Sequence, residues 1–272
     1  MKFVETHGLA SLCVTLLEGK AGYLWAMMIV KKKVEEIQSW KGKSIRADIL
    51  YSIAGIAQHV LVSNEHGSVL IDTGDGLLRD LKTNEFDFDQ LKGIVYTHGH
   101  FDHMGGLHSL LGFLRMIGRK ELLSIFAPKG CSEVFSIVDN FKSCYPDTIP
   151  FKLSSNEVRP HKPFRLAEMF IEPYPMVHCG SINGSGILDP IPAMGYRISC
   201  KGEAVAISGD TGMCASLKEL VQGVDFAVIE ATYPKNTRIR KDELEKVHLS
   251  EEMAEEIGKL ANEFVLVHKE MR

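Results

Sequence analysis

Residues 97–106 constrain this chain more than any other stretch, because metal-binding residue types crowd together there. The sequence is Thr-His-Gly-His-Phe-Asp-His-Met-Gly-Gly, which places side by side His98, His100, Asp102 and His103. An apolar run at residues 91–96 precedes them and predicts a buried strand. Imidazole binds zinc, iron or manganese, and a nearby carboxylate holds a second ion or orients a histidine. A single histidine is more often a packed or surface residue, but this density predicts a metal site at a strand end.

Glycines interrupt the same stretch. Gly99 and the pair Gly105-Gly106 stand between and after the polar side chains. Because glycine adopts backbone conformations that other residues avoid, these positions predict tight turns that let the metal-binding side chains converge.

Residues 98–103, His-Gly-His-Phe-Asp-His, match the His-x-His-x-Asp-His signature of the metallo-β-lactamase-fold hydrolases. The chain resembles this family from about residue 49 to residue 268. The resemblance implies an α/β protein with a four-layer αββα sandwich and metals at one edge between two sheets. We expect residues 1–272 to form a single domain of this fold. Residues 1–45 would add short strands over 2–17 and a helix over 23–38, with a role that the sequence does not define.

The resemblance also assigns metal ligands by position. It implies two divalent ions, one held by His98, His100 and His178, the other by Asp102, His103 and His268, with Asp210 shared. Zinc is the expected metal, and iron and manganese are the alternatives. Such a pair of ions lowers the pKa of water and stabilises charge on an attacked phosphorus or carbonyl group. The resemblance makes Asp102 the residue that orients or deprotonates this water.

Several of these residues stand alone in the sequence. Asp72 and Asp210 each follow an apolar strand, and each could be a simple turn aspartate. The resemblance instead implies that Asp72 supports the histidine loop, which is physically sensible because a ligating histidine needs its other ring nitrogen held. His178 alone is a weak signal. A predicted strand leads into it, and a glycine-rich loop at residues 180–186 leads out.

Two later segments favour a phosphodiester substrate. Residues 229–232, Ile-Glu-Ala-Thr, and residues 248–250, His-Leu-Ser, resemble the His-Glu-Ala-Thr and His-Ser-Thr motifs of the ribonuclease Z branch. In that branch the glutamate holds the histidine, which contacts phosphate or assists the leaving group. Glu230 and His248 match these positions, and such a pair keeps a proton donor oriented. Taken singly, Glu230 could also be a surface carboxylate and His248 a residue at a helix start.

The chain departs from the ribonuclease Z pattern at three places. Ile229 replaces the first histidine of one motif, and no long glycine- and proline-rich arm fits between His178 and Asp210. The sequence also ends four residues after His268. These departures favour a smaller phosphodiester, cyclic or linear, over tRNA.

Composition limits the partners. The net charge of −4 provides no global basic field, so nucleic-acid binding would need a local patch. The start of the chain lacks the pattern of a signal peptide, and no apolar block near it is long enough to span a bilayer. We therefore expect a cytoplasmic protein that contacts no membrane and takes a small phosphodiester or nucleic-acid substrate. The sequence leaves open whether the protein forms a homodimer.

Two other functions stay open beside a metal-dependent phosphodiester hydrolase. A hydrolase of a thioester, lactone or other carboxylic ester on the same fold would have no use for Glu230 and His248. A non-catalytic metal- or RNA-binding module would keep the ligands without turnover, and the complete ligand set argues against it.

Overall fold

Short strands and helices follow one another along the computed structural model, which describes residues 37–182, 186–236 and 238–270. The strands are β1 (Gln38–Lys41), β2 (Arg46–Ile53), β3 (Ala57–Asn64), β4 (Gly67–Ile71), β5 (Leu91–Val95), β6 (Leu123–Pro128), β7 (Leu153–Val158), β8 (Phe164–Leu166), β9 (Met169–Pro175), β10 (Cys179–Ile182), β11 (Gly186–Pro190), β12 (Met194–Cys200), β13 (Glu203–Ile207), β14 (Phe226–Glu230) and β15 (Glu263–Val267). The helices are α1 (Leu77–Thr83), α2 (Phe101–Met104), α3 (Leu107–Met116), α4 (Ser132–Cys144), α5 (Ala215–Val221), α6 (Lys241–Lys246) and α7 (Glu251–Gly258), and a 3-10 turn spans Phe88–Gln90.

The strands of the described residues form two large sheets and one separate hairpin. The first sheet has the order β1-β2-β3-β4-β5-β6-β7, antiparallel up to β4 and parallel from β4 onward. The second has the order β15-β14-β13-β12-β9-β8, in which β13, β14 and β15 run parallel. Strands β10 and β11 pair with each other.

Alternation of side chains along the strands sorts the core into layers. In β3, Val60 and Val62 pack between the two sheets, whereas Leu61 packs against helices on the outer face of the first sheet. In β13, Ile207 likewise faces the space between the sheets and Ala206 faces outward. Helices α1, α3 and α4 cover the first sheet, and α5 and α7 cover the second. The predicted four-layer αββα sandwich is confirmed.

The parallel strands carry polar residues to one edge of the sandwich. Strands β4 and β5 in the first sheet, and β13, β14 and β15 in the second, are each followed or ended by a polar side chain. The carboxyl ends of parallel strands meet at a common edge, which is where open α/β sheets bind their ligands. The residues concerned are Asp72, His98, Asp210, Glu230 and His268.

Two elements differ from the sequence prediction. Most of the predicted N-terminal strands and helix lie outside the described residues, but Gln38, predicted to end the helix, begins β1. This strand depends on remote contacts, since the Trp40 ring stacks on Phe226 and its Nε1 donates to Glu263. Of the predicted glycine-rich loop at residues 180–186, the described residues 180–182 belong to β10 and residue 186 to β11, and these two strands pair through their backbones.

The chain from Gln38 onward forms one compact unit, and the assignment of residues 1–272 to a single domain stays a prediction. Of the helices that the structure describes, none has the length and apolar content needed to cross a membrane.

Candidate metal centre and cleft

The first cluster of metal-binding groups joins the two sheets. Its members are His98, His100, His178 and Asp210, and each offers a ligand atom within 4.8 Å of the others. His98 and His100 come from the loop after β5, Asp210 follows β13, and His178 precedes β10. These are the residues that the resemblance assigned to one ion, together with the shared aspartate.

The second cluster lies beside the first. It contains Asp102, His103 and His268, whose ligand atoms also lie within 4.8 Å of one another. Asp210 Oδ1 is 3.3 Å from His103 Nε2 and 3.4 Å from His268 Nδ1, so this carboxylate reaches both clusters. All side chains predicted as ligands are therefore brought together. The structure adds a grouping that was not predicted, in which His248 joins Asp210 and His268.

Protein groups hold the second nitrogen of most of these rings. Nδ1 of His98 lies 3.1 Å from Thr97 Oγ1, and Nδ1 of His103 lies 2.8 Å from Asp72 Oδ2. Nδ1 of His178 lies 2.8 Å from the carbonyl oxygen of Val247. Partners of this kind fix the ring orientation of metal-binding histidines and direct Nε2 toward the ion.

The distances between ring nitrogens fit metal coordination. His178 Nε2 is 3.1 Å from His100 Nδ1, and His103 Nε2 is 3.3 Å from His268 Nε2. Two nitrogen ligands of one tetrahedral zinc ion, each about 2.05 Å from the metal, are themselves about 3.3 Å apart. His98 Nε2 and Asp210 Oδ1 are buried and take part in no hydrogen bond. A cation bound at each of these atoms would satisfy it.

The buried negative charges at this edge also indicate that cations bind there. Four buried carboxylates lie at this edge of the sandwich, namely Asp72, Asp102, Asp210 and Glu230. In the part of the chain that the structure describes, no Lys or Arg forms an ion pair with any of them, and the basic groups beside them are imidazoles. Buried charges in proteins are paired or coordinate metals. The donor set therefore fits a pair of divalent ions.

The two clusters differ in their electrostatics. Burial holds the pKa of His98 well below its usual range and lowers the pKa of His178 to about 3. Neutral imidazole is the form that binds a metal. Burial acts in the same direction on the pKa of His103, but the charges of Asp210 and Asp72 outweigh it and raise this pKa well above its usual range. The carboxylates therefore favour positive charge at His103.

The backbone at the centre is held in conformations that few residues adopt. Asp72 and His268 have φ angles of 63° and 54°, in the left-handed region that costs a non-glycine residue about 1–2 kcal/mol. The His268 N–H donates to Ser52 Oγ at 2.9 Å, and its Nδ1 lies 3.1 Å from Thr232 Oγ1. Ser52 and Thr232 are supporting residues that the sequence did not single out. Thr232 lies in a segment already matched to a motif, whereas Ser52 has no local signal.

The glycines of the motif serve close packing: Gly105 and Gly106 form the predicted turn between α2 and α3, but this turn does not need a conformation that only glycine adopts. Gly105 and Gly106 have φ angles of −59° and −81°, which any residue can adopt. A Cβ on Gly106 would lie 2.5 Å from the carbonyl oxygen of Gly74, and the Gly106 N–H donates to Thr73 O at 2.7 Å. Glycine is required here because the loop after β4 presses against the histidine loop.

Glu230 holds His248 as the sequence expected. Glu230 is fully buried, and its Oε1 lies 3.0 Å from His248 Nδ1. The carboxylate also accepts hydrogen bonds from the N–H groups of Thr211, Thr232 and Leu249 and from the Thr232 hydroxyl. Burial lowers the pKa of His248, but Glu230 outweighs it, and the protein groups around this ring raise its pKa to about 9. The interpretation of Glu230 as a surface carboxylate does not hold.

A cleft of about 270 Å³ opens onto the two clusters. His100, Asp102, His178, Asp210, His248 and His268 line its polar part. Asp102 is fixed there, because its Oδ2 accepts the Gly55 N–H at 2.9 Å. The cleft therefore brings a substrate to the candidate ligands and to the Glu230–His248 pair at once.

Comparison with known proteins settles the family. The profile described as the beta-lactamase superfamily domain matches residues 68–268. The chain belongs to the beta-lactamase superfamily. A ribonuclease Z of Saccharolobus islandicus is 24% identical over 209 residues, which cover 64% of this chain and 69% of that protein.

Solved structures agree on the fold of this superfamily member. The short form of human tRNase Z aligns with a TM-score of 0.69 at 21% identity, and the aligned region covers 83% of this chain and 93% of the human chain. A diphosphatase of the PhnP family aligns with a TM-score of 0.60 at 20% identity, and the aligned region covers 83% of this chain and 87% of the diphosphatase chain. The superfamily and the cluster of His and Asp side chains together support divalent metal binding.

Proposed function

We propose that the protein is a metal-dependent hydrolase that cleaves a small phosphodiester. One observation carries this proposal: His248, held 3.0 Å from Glu230 Oε1 through Nδ1, lines the cleft beside the two clusters. With Nδ1 engaged, Nε2 is the ring nitrogen that can reach a bound substrate. A departing alkoxide needs a proton, and an oriented imidazole supplies it. The names of the ribonuclease Z and tRNase Z relatives support the same class of bond.

The seven side chains of the two clusters would hold two divalent ions, which lower the pKa of water and add positive charge beside the attacked phosphorus. Asp102 takes a proton from the attacking water. The water oxygen forms a bond to phosphorus, and the bond from phosphorus to the leaving oxygen breaks. His248 gives its Nε2 proton to that oxygen, so the products are a phosphomonoester and an alcohol.

The proposal is tested with two methyl aryl phosphates that differ in the leaving group. One releases p-nitrophenolate, which departs without a proton, and the other releases phenolate, which needs one. In zinc- or manganese-loaded protein, His248→Ala should lower kcat for the phenyl ester by about 10²–10⁴-fold and affect the p-nitrophenyl ester far less. His66→Ala, an exposed histidine in the β3–β4 turn, is the matched control and should leave both rates unchanged.

The outcomes separate the competing functions. Equal losses for both leaving groups would contradict the role of His248 as proton donor. The carboxylic ester function would be favoured if the protein hydrolysed a lactone or thioester and cleaved no phosphodiester. In that case His248→Ala should not change the rate of lactone or thioester hydrolysis. Metal-loaded protein that cleaves no ester at all would contradict hydrolysis.

A further inference from the structure

Two large apolar side chains stand exposed at the mouth of the cleft. Phe101 is 66% exposed and Leu188 is 45% exposed, and both line the cleft. Scattered apolar residues are common on protein surfaces, but apolar surface that converges on a candidate active site marks a place where a ligand binds. Neither side chain has a role in the chemistry proposed above.

The position of each side chain ties it to the metal centre. Phe101 begins α2 and stands in the chain between His100 and Asp102. Leu188 belongs to β11 of the separate hairpin. A Cβ on Gly180 would lie 3.3 Å from Leu188 Cδ1 and 3.6 Å from His100 Nε2, so the leucine packs over this glycine close to the His100 ring.

The size of the cleft limits the substrate that it can hold. A volume of about 270 Å³ is below the range of about 300–1,000 Å³ in which proteins enclose a drug-sized ligand. The cleft therefore suits a compact substrate, and a group attached to a phosphate at the two clusters would lie against Phe101 and Leu188.

The charge at the mouth argues against a long nucleic acid. None of the described residues that line the cleft is Lys or Arg. A polynucleotide binds chiefly through cationic contacts to several phosphates. The surface available to the attached group is apolar, and on the Phe101 side it is the exposed ring of an aromatic residue.

We propose that Phe101 and Leu188 form a subsite for one aromatic group, a nucleobase or an aryl ring, attached to the phosphodiester. This assignment rests on the proposed function, because it names the substrate of the same site. Bases stack on exposed aromatic side chains with little dependence on sequence. Leu188 adds apolar surface to the same subsite from the hairpin. The favoured substrate is then a compact phosphodiester with one aromatic group on its non-leaving side.

The subsite is tested by measuring kinetics on three phosphodiesters that share one leaving group and differ in the other group attached to the phosphate. The substrates are the methyl, cyclohexyl and phenyl esters of p-nitrophenyl phosphate, assayed with metal-loaded full-length protein. Phe101→Ala should raise KM for the phenyl ester about 10-fold, affect the cyclohexyl ester less and leave the methyl ester unchanged. Phe101→Trp should restore the preference for phenyl. Leu188→Ala should raise KM for the phenyl ester about threefold.

Binding without turnover separates this proposal from the proposed function. Calorimetry should show that phenylphosphonate binds the metal-loaded protein about 10-fold more tightly than methylphosphonate, and that Phe101→Ala removes the difference. Phe170→Ala, an exposed phenylalanine on β9, is the matched control. Metal content measured on each variant should be the same as in the unaltered protein.

Each outcome decides one proposal. If the protein cleaves no phosphodiester but still prefers phenylphosphonate in a Phe101-dependent way, the proposed function is wrong and the aromatic subsite stands. Cleavage of all three esters with no effect of Phe101→Ala would overturn the subsite and keep the function. Equal preference for cyclohexyl and phenyl groups would overturn the aromatic assignment.

Discussion

Asp72 and Glu230 use the same arrangement in different sheets. Each is a fully buried carboxylate at the end of a parallel strand, Asp72 after β4 and Glu230 at the end of β14. Asp72 accepts the N–H and hydroxyl of Thr97 and faces His103 Nδ1 at 2.8 Å. Glu230 accepts N–H groups of neighbouring loops and faces His248 Nδ1 at 3.0 Å. Each sheet thus anchors one histidine through a carboxylate.

The histidines themselves differ in what they reach. The His103 side chain is fully buried, and its Nε2 lies among the candidate ligands Asp210 and His268. The side chain of His248 keeps 17% of its surface exposed and lines the cleft. The same anchor therefore directs one ring toward the candidate metal ligands and holds the other at the cleft. The predictions below test this division.

The largest effect is expected when the Asp72 anchor is removed. Asp72→Ala leaves His103 and Thr97 without their acceptor inside the core. We expect zinc affinity to fall about 10–100-fold and the free energy of unfolding to fall by about 3–5 kcal/mol. Chelator competition and denaturant unfolding measure the two quantities.

Asp75→Ala changes an exposed aspartate of the same loop and should alter neither quantity. Asp72→Asn keeps the shape of the side chain and serves if the alanine variant does not fold. Unchanged zinc affinity in both variants would show that Asp72 does not support the metal centre.

Removing the charge of Glu230 should separate metal binding from activity. An amide has one acceptor oxygen, whereas N–H donors approach both oxygens of Glu230, so Glu230→Gln leaves a donor unpaired. We expect the free energy of unfolding to fall by about 1–3 kcal/mol and kcat for a phenolate-releasing phosphodiester to fall about 10²-fold. Two metal ions should still bind, as measured by elemental analysis.

Glu256→Gln, an exposed glutamate on α7, is the control for this change. If Glu230→Gln loses metal, Glu230 supports the metal centre as Asp72 does, and the proposed difference between the two carboxylates is wrong.

A smaller effect is expected at the second cluster. Thr232→Val removes the hydroxyl 3.1 Å from His268 Nδ1 and leaves the ring less well oriented. We expect one of two zinc ions to bind about 10-fold more weakly, with activity restored at higher zinc concentration. Zinc titration followed by activity measures this, with Thr83→Val at the end of α1 as the control. Equal weakening of both ions would contradict the local role of Thr232.

The smallest effect concerns the helix after His248. Ser250 Oγ accepts the Met253 N–H at 3.3 Å and caps α7. Ser250→Ala should lower the free energy of unfolding by about 1 kcal/mol and leave hydrolysis unchanged. Thermal unfolding beside a kinetic assay checks both. A large loss of activity would mean that the cap also positions His248.

The half of the centre on the first sheet was the more predictable from sequence. Residues 98–103 lie in one loop, so their residue types and spacing carry the signal locally. On the second sheet, His178, Asp210 and His268 stand apart in the chain, and only resemblance to a family identified them. Their supporting contacts carry no local signal, because the Val247 carbonyl that holds His178 is 69 residues away.

Long-range contacts also explain what the sequence missed in the fold. Strand β1 has a mostly polar sequence and depends on the contact of Trp40 with Phe226, which no local pattern reports. The exposure of Phe101 could not be predicted, because an apolar residue inside a buried motif would ordinarily be expected to pack inward. The strand at residues 91–96 was predictable because its apolar run is a local signal, whereas the four-layer arrangement was expected from the resemblance to a family.

The most direct test of the account counts metal ions. Protein stripped with a chelator is titrated with zinc and followed by native mass spectrometry. Two ions should bind per chain, and Asp210→Ala should bind fewer, because its carboxylate reaches both clusters. A chain that binds no zinc, or only one ion at saturation, would contradict a centre built for two.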